Sequence, residues 1–194
     1  NTFFFNTTSV EMSSRFINEP GKWDAMISYT QQDGKAEGMA QNLFHTLEKK
    51  GWRIWMDTKM KKCNTAAMEE AVKNSRAVIA IFSCPSDDPK DSLAYANRNF
   101  CLKELRWALQ YGTCIQPVVQ NLDKGRIGFF VNQLPQDLKK LGDIDFIHLD
   151  KSRPKRWEVS VEEVMELIDE ETQSATQSSA TQGINGERKE STEG

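Results

Sequence analysis

Residues 77–82 read Ala-Val-Ile-Ala-Ile-Phe, an unbroken apolar run between Arg76 and Ser83. A strand with one solvated face alternates apolar and polar side chains, whereas a strand covered on both faces does not. The run therefore predicts the central strand of a sheet buried on both sides. Four more short apolar runs fit the same reading, at residues 23–29, 53–56, 114–119 and 144–149. Between them the period changes. Ala36, Met39, Ala40, Leu43, Phe44 and Leu47 recur at helical spacing, and Lys49-Lys50-Gly51 closes that helix. Met68, Ala71, Val72 and Ser75 mark a second helix, residues 99–111 a third, and residues 136–141 a weak one. Residues 123–135, with Phe129 and Phe130, read as a loop. For the last helix, Ser160 and Glu163 make a capping box and Val159 with Val164 a hydrophobic staple. Its buried stripe is Val161, Val164, Met165 and Ile168. Strands alternating with helices imply an α/β fold with a parallel sheet and right-handed crossovers. A flavodoxin-like, three-layer arrangement of five strands in the order 2-1-3-4-5 is the simplest solution.

One domain is expected from 194 residues, spanning 22–171. Residues 1–21 are rich in Asn, Ser and Thr and end in Glu19-Pro20-Gly21, which reads as a loose arm. Residues 172–194 form a Ser/Thr/Gln tract with too little apolar surface to offset ordering entropy, so a disordered tail is expected. A net charge of −3 argues against a nucleic-acid surface. No apolar run reaches membrane-spanning length. Cys63, Cys84, Cys101 and Cys114 lack metal-ligand spacing. They read as free thiols of a reducing, cytoplasmic compartment, with no metal.

Sheets of this kind bind ligands beyond the carboxyl ends of their strands, near the switch point between the first and third. Residues 28–33, 57 onward and 83 onward share that rim, and the helix over 99–111 starts from it. On that helix Cys101, Leu105, Ala108 and Gly112 form a narrow seam, widened by Leu102 and Leu109. Phe100, Glu104, Trp107 and Tyr111 form a flanking stripe, which sets a carboxylate between aromatic rings. Several chemistries fail here. There is no Walker loop, and Thr30-Gln31-Gln32-Asp33-Gly34 has too few glycines for a dinucleotide fingerprint. The acidic cluster and strand-ending aspartate of a phospho-receiver are replaced by Ser28-Tyr29-Thr30 and Ser83. A hydrolase would need a histidine beside a nucleophile. His45 lies off its helix's apolar stripe and His148 lies within a strand, so both read as structural or solvated.

From Trp23 to about Ile168 the chain resembles the TIR domains. The stretch Lys22-Trp23-Asp24-Ala25-Met26-Ile27-Ser28-Tyr29 is similar to that family's opening strand. Leu47 to Asp57, with Gly51 and Trp55, resembles its L-x-x-x-G-x-x-V/I-x-x-D stretch. Phe100-Cys101-Leu102-Lys103-Glu104-Leu105 resembles the W-C-x-x-E-L box, and residues 115–118 the following I-x-P-V. The resemblance implies one of two activities: cleavage of NAD at its nicotinamide–ribose bond, or signalling by TIR–TIR assembly. In the cleaving branch the box glutamate acts, here Glu104, with NAD as substrate and no cofactor. By the same resemblance Tyr29 and Thr30 line the floor, with Ser83 on the rim, and Phe100 stands where the family has tryptophan. Phe129 or Phe130 would supply the ring from the loop after strand four. Residues 57–66 resemble the family's BB loop, which contacts neighbouring subunits. Asp57, Lys59, Lys61, Lys62 and Asn64 are its candidate assembly residues, with Asn64 where a positive φ is usual. The Pro-Gly pair of Toll-receptor loops is missing, which favours the enzymatic branch.

Overall fold

The apolar run at the centre of the sequence becomes β3 (Ser75–Ile81), hydrogen-bonded on one side to β1 (Trp23–Ser28) and on the other to β4 (Cys114–Gln120). The computed structural model describes residues 22–60 and 63–186, with side chains described to residue 174. The sheet is completed by β2 (Ile54–Trp55) and β5 (Ile147–Leu149), in the order β2-β1-β3-β4-β5 with every pair parallel. Residue periodicity sorts the strands onto two faces. Met26, Val78 and Ala80 pack with Met68 and Val72 of α2 (Thr65–Asn74) and with Leu105 and Ala108 of α3 (Asn99–Tyr111). Ala25, Ile27, Ile79 and Ile81 face the opposite layer, α1 (Gly34–Lys49) and α5 (Pro154–Gly186). Two apolar layers on a sheet with no solvated face explain why the strands lack alternation.

Local chemistry sets the helix ends. The Asp33 carboxylate caps α1, accepting from the backbone N–H of Lys35 at 3.0 Å and of Ala36 at 3.4 Å. Asn64 caps α2 by accepting from the Ala67 N–H at 2.9 Å, and its φ is −78°. It is thus a helix cap and not the left-handed residue the loop resemblance led us to expect. Gly112 ends α3 at φ 68°, in the left-handed conformation that glycine adopts without steric cost, so it is no part of the buried seam. Leu109 also leaves that seam, being 53% exposed.

Two further expectations are corrected. The segment after β4 is helical, a 3-10 turn at Asn121–Arg126 followed by α4 (Ile127–Gln133), because Phe130 turns inward and is buried. The last helix begins at Pro154, six residues before the expected cap, with proline in the first helical position where its missing N–H costs nothing. Ser160 lies inside it, its hydroxyl donating to the Trp157 carbonyl at 2.9 Å, and Val159 is exposed. The helical backbone continues to Gly186, past residue 171 where the sequence places the domain end. The expected arm at 1–21 and the final residues 187–194 lie outside the described residues.

Candidate functional site

The carboxyl end of β1, the turn after β2, Met68 of α2 and the first turns of α3 enclose a cleft of about 220 Å³. Tyr29, Gln31, Asp57, Arg98, Phe100, Cys101 and Glu104 line it. Glu104 is only 5% exposed, so its side chain points into the protein and not along a solvated flank. That follows from its place between Cys101 and Leu105, which carry the seam facing the sheet. Across from it stands Ser28, the last residue of β1, on the face shared with Met26. The Ser28 hydroxyl donates to Glu104 Oε2 at 2.5 Å and lies 2.6 Å from the Tyr95 hydroxyl. Tyr95 sits on a 3-10 turn (Tyr95–Asn97) in the long connection after β3. Its backbone N–H donates to the Ser83 carbonyl at 2.9 Å, and its ring lies 4.6 Å from that of Phe82.

Burial dominates the electrostatics of this carboxyl group. Removing it from water disfavours its charge, and Asp57 nearby adds to that. The Ser28 hydrogen bond works the other way, and the net effect pushes the Glu104 pKa up to about 8. Glu104 is therefore largely protonated at neutral pH. Burial also raises the Tyr29 phenol and the Cys101 thiol far enough that both stay protonated. Cys101 donates to the Tyr29 carbonyl at 3.5 Å. The Tyr29 hydroxyl donates to Asp57 Oδ1 at 2.9 Å, and Gln31 donates to the other Asp57 oxygen. Asp57 thereby ties the turn after β2 to the floor of the cleft. Phe100 stands half out of the surface, 51% exposed, with the Lys103 ammonium 5.3 Å from its ring centroid.

The remaining candidates fall elsewhere. Thr30 and Ser83 are buried on the rim, their hydroxyls without hydrogen-bond partners, and neither lines the cleft. Phe129 and Phe130 do not line it either. Both pack against the core beneath α4, with the Arg126 guanidinium over both rings. Lys59 lays its ammonium 5.5 Å from the Phe44 ring centroid. Lys61 and Lys62 lie outside the described residues. A larger recess, about 580 Å³, flanks the start of α5. Its carboxylates, Asp150 and Glu163, are not buried like Glu104, and Asp150 is held below the usual range by Ser152. Among the described residues, no cluster of His, Cys, Asp and Glu could hold a metal ion, and no helix is long and apolar enough to cross a membrane.

The sequence reading placed Ser28 on the rim without giving it a role, and it missed Tyr95. For Ser28 a signal exists: strand alternation puts it on the same face as Met26, beneath α3. Tyr95 carries none, because nothing in a polar fifteen-residue connection marks which residue turns inward.

A parallel, doubly covered sheet with a buried carboxylate in a cleft at its switch point defines a flavodoxin-like α/β domain with a potential ligand site. The comparisons are more specific. The family model described as the TIR domain matches residues 26–165, and the chain belongs to that family. Among solved structures, it is similar to the TIR domains of the activated Roq1 resistosome, which directly recognises the pathogen effector XopQ. That match has 18% identity and a TM-score of 0.52, over 76% of this chain and 99% of that one. A metazoan TIR-STING receptor from C. gigas matches at 18% identity and a TM-score of 0.48, over 77% of this chain and 41% of that one. A flavodoxin-like domain from Synechococcus sp. matches at 15% identity and a TM-score of 0.46, over 77% and 99%. No curated protein matches significantly.

Proposed function

We propose that this TIR domain cleaves NAD at the nicotinamide–ribose bond, with Glu104 as the catalytic residue. The observation that carries the reading is a buried carboxyl group at the base of an open cleft, with its pKa pushed up to about 8 by burial. Such a group is costly to ionise unless a cation joins it. The nicotinamide ring of NAD is that cation, and it leaves neutral, so no second carboxyl group is needed to protonate the leaving group, as ordinary glycosidases require. A cationic ring beside Glu104 draws its pKa down and favours the carboxylate. That carboxylate then faces the positive charge developing on the ribose. Phe100, exposed at the mouth, offers a ring face for stacking. Tyr29 shapes the floor, and Asp57 holds it in place.

At about 220 Å³ the cleft is smaller than the roughly 300–1,000 Å³ usual for small-molecule sites. It suits the nicotinamide riboside half of NAD and leaves the rest to be enclosed. We read the partner as a second copy of the domain, docked through the turn after β2. The Roq1 TIR domains were solved within a resistosome, which is consistent with that reading. A cytoplasmic setting, where NAD is abundant, belongs to the same proposal. The alternative is a module that signals by TIR–TIR assembly alone, and the small cleft is the observation that favours it. Incubation with NAD separates them. Release of free nicotinamide, with specific activity rising as protein concentration rises, is the expected result. No release at any concentration leaves assembly alone. Release at constant specific activity over a hundredfold dilution removes the second subunit from the site.

A further inference from the structure

We infer that Ser28 and Tyr95 form a two-hydroxyl relay that positions Glu104 and supports its ionised form. The inference rests on Glu104 being the reacting carboxylate, and it adds two positioning residues that act through Glu104.

The protonation state of Glu104 sets the direction of the chain. Ser28 has one proton and stands between two oxygens, Glu104 Oε2 at 2.5 Å and the Tyr95 hydroxyl at 2.6 Å. When Glu104 is ionised it only accepts, so the Ser28 proton points to it. Tyr95 must then donate to Ser28, which polarises the serine hydroxyl further. When Glu104 is protonated it can donate to Ser28, and the chain can reverse. The relay therefore distinguishes the two protonation states of Glu104.

Its far end is held. Tyr95 is 1% exposed, anchored by its backbone bond to the Ser83 carbonyl and by its ring against Phe82. Burial keeps its phenol protonated, so it remains a donor. The near end is held by β1, where Ser28 pairs with Ala80 of the central strand. The other titratable groups around Glu104 do not replace this support. Asp57 opposes the charge, and Tyr29 gives its proton to Asp57. Cys101 gives its proton to the Tyr29 carbonyl. Arg98 lines the mouth of the cleft and Cys63 is exposed there, neither bonded to Glu104.

The test is a carboxyl-carbon NMR titration of Glu104 in glutamate-labelled protein, assigned by loss of the signal in Glu104→Gln. Ser28→Ala should raise the titration midpoint by about one pH unit, and Tyr95→Phe by about half as much, since each removes a donor to the ionised form. Ser28→Thr, which keeps the hydroxyl, should restore the wild-type midpoint. A lower melting temperature with an unmoved midpoint would make the pair ordinary packing and overturn the relay. If Ser28→Ala does not fold, Tyr95→Phe decides alone, since it keeps the ring and removes only one oxygen. The titration needs no turnover, so absence of NAD cleavage would refute the proposed function while leaving this measurement to judge the relay.

Discussion

Replacing Glu104 with glutamine should remove most of one particular pH dependence of stability. In the fold, burial pushes this carboxyl group from its ordinary 4.5 up to about 8. The folded protein therefore holds the proton more tightly than the unfolded chain between those two values. Stability from this group is greatest at low pH and falls as pH rises from about 4.5 to about 8. Integrating the difference in bound protons from pH 5 to pH 7 gives a loss of about 2–3 kcal/mol. For a domain of about 150 residues this is a fall in melting temperature of roughly 5–10 °C. Glutamine keeps the shape and has no charge to bury. The assay is thermal unfolding of wild type and Glu104→Gln at pH 5 and pH 7, taken as a difference of differences so that other titrating groups cancel. The variant should gain on the wild type as pH rises and be the more stable of the two at pH 7. A wild-type-minus-variant difference that stays constant between the two pH values would refute a buried, proton-retaining Glu104.

Phe100→Ala should weaken NAD binding, seen as a raised KM, while costing the fold no more than about 0.5 kcal/mol, because that ring is half exposed. A large fall in melting temperature would show that the ring is structural. Phe130→Ala should do the reverse, costing about 3–5 kcal/mol at a site that is 2% exposed and leaving KM unchanged in whatever protein stays folded. Asp57→Asn should lower the Glu104 titration midpoint, since Asp57 raises it, while the remaining side-chain carbonyl oxygen can still accept from the Tyr29 hydroxyl. An unmoved midpoint would remove Asp57 from the electrostatics of the cleft. NAD binding at pH 7 should release a sizeable fraction of a proton, read as a buffer-dependent binding enthalpy, because the cation favours the carboxylate. Equal enthalpies in buffers of different ionisation heat would exclude that coupling.

The sheet was legible because its determinants are local. Residues 77–82 have no polar position to expose, and the helices between strands keep a clear 3.6-residue stripe, so the class followed from the pattern, and the simplest order for that class is the one observed. The start of α5 was misread because Ser160 and Glu163 fit a cap that the fold does not use. Pro154 and the Asx turn in which Asp150 accepts from the Ser152 N–H at 2.8 Å precede them and win. Phe129 and Phe130 looked like loop aromatics because two adjacent rings carry no period. Burial of Phe130 on the α3 side is a tertiary choice. The candidate Glu104 comes from its box, but its burial does not. Helical spacing puts it on the edge of the apolar seam, and only the position of β1 across from it decides which way it faces. Tyr95 depends on a connection whose path no local signal determines.

The central claim is that one buried carboxyl group releases nicotinamide from NAD, and its most direct test compares two proteins. Wild type and Glu104→Gln are incubated with NAD at equal concentration, each first shown to be folded by its melting curve, and free nicotinamide is quantified over time. The account predicts steady release by the wild type and none above background by the folded variant. Equal release by the two would contradict it.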